Sequence, residues 1–447
     1  MLSKKVLHGG LVIFIFHPSN IKLIKKEEIF MKVKSIDQYL DKYTKIWPFS
    51  GTIGVLNKGE IVFNKSFGMA CHEYGITNNK DTCYTLGSMS KQFTAFLVML
   101  LYDQKKIDID KPINFYLPKQ FHIDDKITAH HLLSHISGLH QFYNWEDDFF
   151  QIYDRSIFNR QEFFNKFIKR ALSFEPGSQF EYNNANYNML AWAIENIVGI
   201  NFGDALKKYI FDPLGMKNTV LDDGHIIIKN KAFPYQMDRN EIVRCQYYNE
   251  KFSVGAGAVL SNFGDLCKWY YCMKNRVFLS DNTYNRFFTE NKEGYCYGLN
   301  KDKVYGRTRF YHGGDHLGVM TYRQDFYDDD ICVVVLSNLE CGNNYQIGNA
   351  ITEILFAGQT EEPQRIPEVK LDRAALSKYE GVYYKDKIVL ELGEEGLEFV
   401  RFNGDVHHLL YPAGKNRFAR KWSAQTNPYE LTECEDGNLK FFGFMKK

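Results

Sequence analysis

Two runs of strand-forming residues lie at opposite ends of a long helical stretch, and that arrangement restricts the folds open to this chain. The first run is Thr52-Ile53-Gly54-Val55-Leu56, which turns through Asn57-Lys58-Gly59-Glu60 into Ile61-Val62-Phe63, the pattern of a β-hairpin. The second run goes from Val319 to Phe326, turns at Asp328-Asp329-Asp330 and returns from Ile331 to Leu336. Between them, Phe93, Phe96, Leu97 and Leu100 follow the i, i+3, i+4, i+7 spacing of a helix with one buried face. Leu190, Ala193, Ile194 and Ile197 repeat it ahead of Gly199, a plausible C-cap. A last helix is expected roughly over Asn344 to Phe356. Strands at both ends with helices between predict an α+β fold, in which the N-terminal hairpin joins the late strands in one antiparallel sheet and the helices cover its faces.

The pattern changes after that unit. Gly358 to Glu368 is polar, contains Pro363 and Pro367, and reads as a linker. Beyond it, Val389 to Leu392, Leu397 to Phe402, His408 to Tyr411 and Phe441 to Phe444 are short strands, so a small all-β C-terminal domain is expected. The expected division is 1–31 as a leader or upstream extension, 32–357 as the main domain, 358–370 as linker and 371–447 as the β domain. In the leader, Lys4 and Lys5 precede a short apolar run, Leu11 to Phe16, which His17-Pro18 ends. No small-residue cleavage site follows, and the run is too short to span a bilayer. Met31 is an alternative start. The reading favours a cytoplasmic protein, with export or a loose membrane anchor through the leader as the alternative. Net charge is +1, and nothing in it suggests a nucleic-acid partner, which would need a basic face. The nine cysteines are scattered, odd in number and form no C-x-x-C pair, so reduced thiols are expected rather than a disulfide framework or zinc knuckle.

Three short motifs carry chemistry. A serine hydroxyl is a poor nucleophile until a neighbour takes its proton. In S-x-x-K on a helix the lysine lies one turn from the serine, and burial lowers the amine pKa so that it can act as base. The pattern occurs at Ser19/Lys22 and at Ser88/Lys91. The second stands behind Gly87 and opens a periodic apolar helix, so context selects Ser88. The run Tyr182-Asn183-Asn184 opens the helix at Leu190. A phenol can relay a proton and an amide can hold a substrate carbonyl, although an asparagine capping a helix explains the same letters. Y-x-N recurs at Tyr247-Tyr248-Asn249. The third motif, His312-Gly313-Gly314, is placed ahead of the strand at Val319. Paired glycines admit a substrate close to backbone, and a strand edge can donate an N–H to an oxyanion. His8-Gly9-Gly10 and Lys292-Glu293-Gly294 are decoys that lack this setting.

The order of Ser88, Tyr182 and His312 resembles the class C β-lactamase and D-alanyl-D-alanine carboxypeptidase superfamily of serine enzymes, with its S-x-x-K, Y-x-N and K/H-x-G motifs. The runs Tyr84 to Phe96, Ile127 to Leu139, Phe211 to Thr219, Gly255 to Leu260 and Val333 to Asn338 are similar to it as well. The likeness covers about Ile53 to Leu355. From Leu371, and most clearly at Tyr379-Glu380-Gly381-Val382-Tyr383, the chain resembles the lipocalin-like domain often appended to such enzymes. The resemblance implies a β-lactamase/transpeptidase-like sheet with flanking helices and an all-helical subdomain. It implies that Ser88 is acylated, that Lys91 and Tyr182 share base and acid work, and that Asn184 holds the substrate amide. It implies that His312, with Gly313 and Gly314, orients the substrate or tunes Tyr182, and that the N–H groups of Ser88 and Asp315 form the oxyanion hole. No counterpart of the class A glutamate is found, which favours the tyrosine-dependent branch. Histidine rather than lysine at 312 points to peptidase or esterase relatives.

Competing chemistries find less support. His131 and His135 have zinc-like spacing on a helix, but H-E-x-x-H is absent. No G-x-S-x-G elbow surrounds any serine. Asp328 to Asp330 reads as a solvated turn. The expectation is a serine hydrolase without cofactor or metal, acting on a small molecule or short peptide as a D-amino-acid peptidase or an esterase. A β-lactamase proper and a penicillin-binding sensor without turnover are the alternatives.

Overall fold

The computed structural model describes residues 3–6, 12–15, 26–141, 159–168, 171–341, 343–384, 388–401, 406–424, 428–434, 437–441 and 444–445. Its main sheet is built from β1 (Gly51–Asn57), β2 (Glu60–Phe67), β3 (Asn300–Val304), β4 (Arg307–His316), β5 (Val319–Phe326) and β6 (Ile331–Ser337). The strand order is β3-β4-β5-β6-β1-β2, antiparallel throughout, so the early hairpin does close onto the late strands. Every residue of β1 and β6 is buried, as strands covered on both faces require.

Helices α1 (Lys26–Ile46), α2 (Lys91–Asp103), α3 (Asn184–Val198), α4 (Phe263–Lys274) and α5 (Asn344–Ala357) divide between those faces. Side chains alternate along a strand, so Val333 and Val335 face one way and Val334 and Leu336 the other. Val333, Val335, Ile53 and Val55 pack with Ile36, Leu40 and Tyr43 of α1 and with Ile347, Ile351 and Ile354 of α5. Val334, Leu336 and Leu56 belong to the larger core with Phe93, Phe96 and Leu97 of α2, Leu190 and Ile194 of α3, and Phe263 and Trp269 of α4. Helix α1 runs across the expected 31/32 boundary, and residues 359–372 carry no regular structure. No helix among the described residues is long and apolar enough to cross a membrane.

His312-Gly313-Gly314 stands ahead of the strand at Val319, as expected, and itself lies inside β4. Glycine pairs weaken strand propensity, and β3 is a polar edge strand, so neither announces itself by apolar alternation. Pairing to β3 on one side and β5 on the other holds β4 extended.

The C-terminal strands, from Gly381–Tyr384 through Leu397–Arg401 and Val406–Gly414 to Phe444–Met445, follow one another in sheet order as a nearly closed antiparallel barrel. A hairpin of the main domain, Tyr235–Asp238 and Glu241–Arg244, docks on it. Arg239 N–H donates to His407 O at 2.6 Å, His407 N–H donates to the Asp238 carboxylate at 2.8 Å, and the Arg239 guanidinium pairs at 3.1 Å with Glu398, which is buried. His407 also lies 2.7 Å from Glu398.

Ile351 is fully buried between α1 and the sheet. Ile351→Ala is expected to lower the unfolding free energy of this domain by about 2–4 kcal/mol, read as a shift in the urea midpoint at constant slope.

Candidate active site

Three elements meet at Ser88. The serine sits in a single 3-10 turn, Gly87–Ser90, that runs directly into α2 with Lys91 as its first residue. Gly87 takes φ +54°, a conformation that suits glycine. The stretch Gly255 to Val259 clamps this junction: Thr94 donates to Gly255 O at 2.6 Å, Val259 N–H donates to Ser90 Oγ at 3.0 Å, and Leu86 N–H donates to Val259 O at 2.8 Å. Asn188 of α3 joins through bonds to Phe252 O and Gly255 N–H.

Lys91 is fully buried. Its Nζ lies 3.0 Å from Ser88 Oγ and 2.9 Å from Ala256 O. No carboxylate pairs with it among the described residues, and burial holds its pKa well below the ordinary lysine value. A neutral amine in contact with a hydroxyl is a base in place. The amine is 4.8 Å from the centroid of the Tyr182 ring and 5.6 Å from that of Tyr187.

The Tyr182 turn is held by the segment His135 to Gln141. Asn183 N–H donates to His135 Nδ1 at 3.1 Å, Glu181 N–H donates to His135 O at 2.9 Å, and the Asn183 amide donates to Leu139 O at 2.5 Å. Gln141 accepts from Asn184 N–H at 3.1 Å and donates to Tyr182 O at 3.3 Å. Asn183, and not Asn184, caps α3, accepting from Ala185 N–H at 2.8 Å. Asn184 is the first residue of the helix and is nearly buried.

Strand β4 closes the third side. A methyl group on Gly87 would lie 3.0 Å from the Gly314 backbone and 3.2 Å from Asp315 N. The main chains of Ser88 and Asp315 therefore run side by side, the condition for two N–H groups to share one oxyanion. A methyl group on Gly314 would lie 1.9 Å from Leu86 O, so only glycine permits the approach. His312 is buried, with its ring centroid 6.1 Å from that of Tyr182. Burial and Lys91 pull its pKa down to about 3.

The structure thus brings Ser88, Lys91, Tyr182, His312, Gly314 and Asp315 together, with Asn184 two residues past Tyr182 at the start of α3, whereas the side-chain face of Gly313 lies against the Tyr345 hydroxyl. It also supplies residues the sequence reading passed over. Tyr187 lies one turn along α3 from Asn184, a spacing that could have found it. Tyr295 comes from an irregular loop, with its centroid 6.2 Å from Tyr182 and 4.7 Å from His135, and no periodicity marks it. His135 packs on Tyr182 at 4.3 Å, and burial holds it neutral. His131, its zinc-like companion, instead closes a capping box with Thr128. Among the described residues no group of His, Cys, Asp and Glu could hold a metal ion. Residues on both sides of the hairpin Tyr235–Arg244, among them Asp222, Phe233 and Tyr247, line a cavity of 690 Å³ that also touches Thr85, Leu317 and Val319.

The chain is similar to known proteins. The family model described as Beta-lactamase matches residues 39–355. Penicillin-binding protein 4* of Bacillus subtilis strain 168 is 27% identical over 423 residues, covering 88% of this chain and 92% of its own. The teichoic acid D-alanine hydrolase of Staphylococcus aureus is 25% identical over 338 residues, covering 74% and 81%. Among solved structures, the octameric penicillin-binding protein homologue of Pyrococcus abyssi superimposes with a TM-score of 0.66 at 22% identity, covering 92% of this chain and 94% of that one.

Two outcomes are expected. A lysine whose folded pKa is depressed binds fewer protons folded than unfolded, so its contribution to stability falls as pH drops below the unfolded value of about 10.4. Subtracting the unfolding free energy of Lys91→Met from that of wild type across pH should therefore give a difference that rises with pH towards that value. Gly314→Ala should remain folded by circular dichroism yet lose about 10²-fold in kcat/KM, because the two N–H groups are forced apart.

Proposed function

The chain belongs to the Beta-lactamase family, and from that premise we propose that it is a serine hydrolase that opens an amide or ester through an acyl-enzyme on Ser88. The observation that carries this reading is the buried Lys91 amine, 3.0 Å from Ser88 Oγ and without a carboxylate partner among the described residues. Neutral Lys91 takes the Ser88 proton as Oγ attacks the substrate carbonyl. The N–H groups of Ser88 and Asp315 hold the oxyanion. As the tetrahedral centre collapses, Tyr182 passes a proton to the leaving amine or alkoxide. Asn184 faces the substrate amide, and the reverse sequence with water releases the acid. The substrate is a small molecule or short peptide with a D-amino-acid residue on the acyl side. The relative from Staphylococcus aureus, named for D-alanine hydrolysis, supports that choice.

A fluorophosphonate probe should add one label to the wild type, seen by intact mass, and none to Ser88→Ala. Tyr182→Phe should still acylate while losing about 10²- to 10⁴-fold in turnover of D-alanyl esters. Equal labelling of wild type and Ser88→Ala would overturn the assignment. A single burst with no steady state on p-nitrophenyl esters and nitrocefin would favour a non-turnover sensor over the enzyme.

A further inference from the structure

Gly313 and Gly314 give the functional end of β4 no side chains with which to anchor itself, so its position is set by what lies against its two faces. Against Gly314 stands Leu86 O, to which Thr321 of β5 donates at 2.7 Å. On the other face, a methyl group on Gly313 would lie 1.7 Å from the hydroxyl of Tyr345, in the first turn of α5. The turn that follows β4 is backed as closely. Gly318 takes φ +73°, and a methyl group there would lie 2.5 Å from Cys245 Sγ and 2.6 Å from Pro234 Cβ. Its N–H donates to the Glu340 carboxylate at 3.2 Å. Pro234 and Cys245 flank the hairpin Tyr235–Arg244, and Glu340 belongs to a short strand, Leu339–Glu340, that pairs with that hairpin in parallel.

These backing elements lean on the C-terminal barrel, and one side chain joins them. Trp422 packs against Tyr235 and Met237 of the hairpin and against Leu339 and Cys341 of the segment that leads to α5. Its indole N–H donates at 3.2 Å to Asn240 Oδ1 at the hairpin tip, where Lys421 donates to the same oxygen at 3.0 Å. Two residues on, the fully buried Ala424 accepts on its carbonyl from the Asn343 amide at 2.7 Å. Asn343 in turn caps α5, accepting from Gln346 N–H at 3.0 Å.

We infer that Trp422 is a positioning residue for the reaction at Ser88: by fixing the hairpin and the segment before α5 it holds residues 313–318, and with them the Asp315 N–H, against the Ser88 turn. This rests on the serine-hydrolase reading and gives the C-terminal barrel a part in it. The two oxyanion donors belong to segments far apart in sequence, so their spacing depends on tertiary support. A small shift of one against the other costs rate more than it costs substrate binding. Removing the indole opens a gap where the hairpin, the 339–341 segment and the barrel meet.

The test uses full-length Trp422→Ala and Trp422→Phe, each titrated with the fluorophosphonate so that rates are expressed per labelled Ser88. In Trp422→Ala, kcat on a D-alanyl ester should fall about tenfold with KM changed by less than about twofold. The inhibition constant of phenylboronic acid, which forms a tetrahedral adduct on a serine, should rise about tenfold in parallel. Trp422→Phe, which keeps a ring in the gap, should recover most of both. Hydrogen exchange followed by mass spectrometry should be faster across residues 313–318 in Trp422→Ala, with α2 as protected as in the wild type. A merely structural tryptophan would lower the labelled fraction and leave the rate per labelled site and the boronate constant unchanged, a result that overturns the positioning role. Unchanged exchange across 313–318 overturns it as well. If Trp422→Ala does not fold, Asn240→Ala at the exposed hairpin tip is read the same way, with a loss of about threefold in kcat expected and an unchanged kcat overturning the role. Failure of wild-type Ser88 to label overturns the hydrolase reading itself, and the exchange across 313–318 still decides whether the barrel holds β4.

Discussion

A lysine amine buried without a counter-ion is the constraint around which the site is arranged. Left charged at that depth, Lys91 would cost far more than its two hydrogen bonds return, so the fold accommodates it as a neutral base. The neighbours follow from that. Beyond Ser88 Oγ and Ala256 O, the amine faces the rings of Tyr182 and Tyr187, and a proton on Lys91 or His312 would disfavour one on His135. A carboxylate among them would restore the ammonium and remove the base. The polar work left over, orienting the serine and the tyrosine, falls to main-chain groups and amides.

That choice places a demand on precision rather than on charge. The junction at Ser88 is fixed by main-chain carbonyls and small hydroxyls from Gly255 to Val259, and the Tyr182 turn by the segment from His135 to Gln141. At these contacts a side chain meets a backbone group at hydrogen-bonding distance, where size and direction are restricted together.

How far this was legible from sequence depends on whether a residue belongs to a repeating pattern. Ser88 and Lys91 could be picked over Ser19 and Lys22 because α2 has a strong 3.6-residue period. The pairing of the early hairpin with β6 followed from two apolar strand runs. The position of His312 within β4 was not legible, since glycines and an edge partner rich in charge hide the strand. Tyr295 was beyond reach, because it comes from a loop whose path is set by tertiary contacts. His135 was visible, with a zinc-like spacing from His131 that the missing H-E-x-x-H set aside, and the structure shows one ring at a helix cap and the other against Tyr182. Within Tyr182-Asn183-Asn184 the capping explanation and the functional one both have a residue to apply to, Asn183 and Asn184 respectively.

The place of β1 in the sheet has a consequence for how the protein is made. This strand emerges early from the ribosome, yet on one edge it pairs with β6, which leaves only after nearly all of the main domain has been synthesised. Until then β1 and β2 form an apolar hairpin with an open edge, the kind of intermediate that aggregates or needs a chaperone. The Ser88 turn leans on β4 of the same late group, so a nascent chain cannot assemble a reactive centre before the sheet is complete. Truncated products of translation would carry Ser88 and Lys91 without β4 beside them.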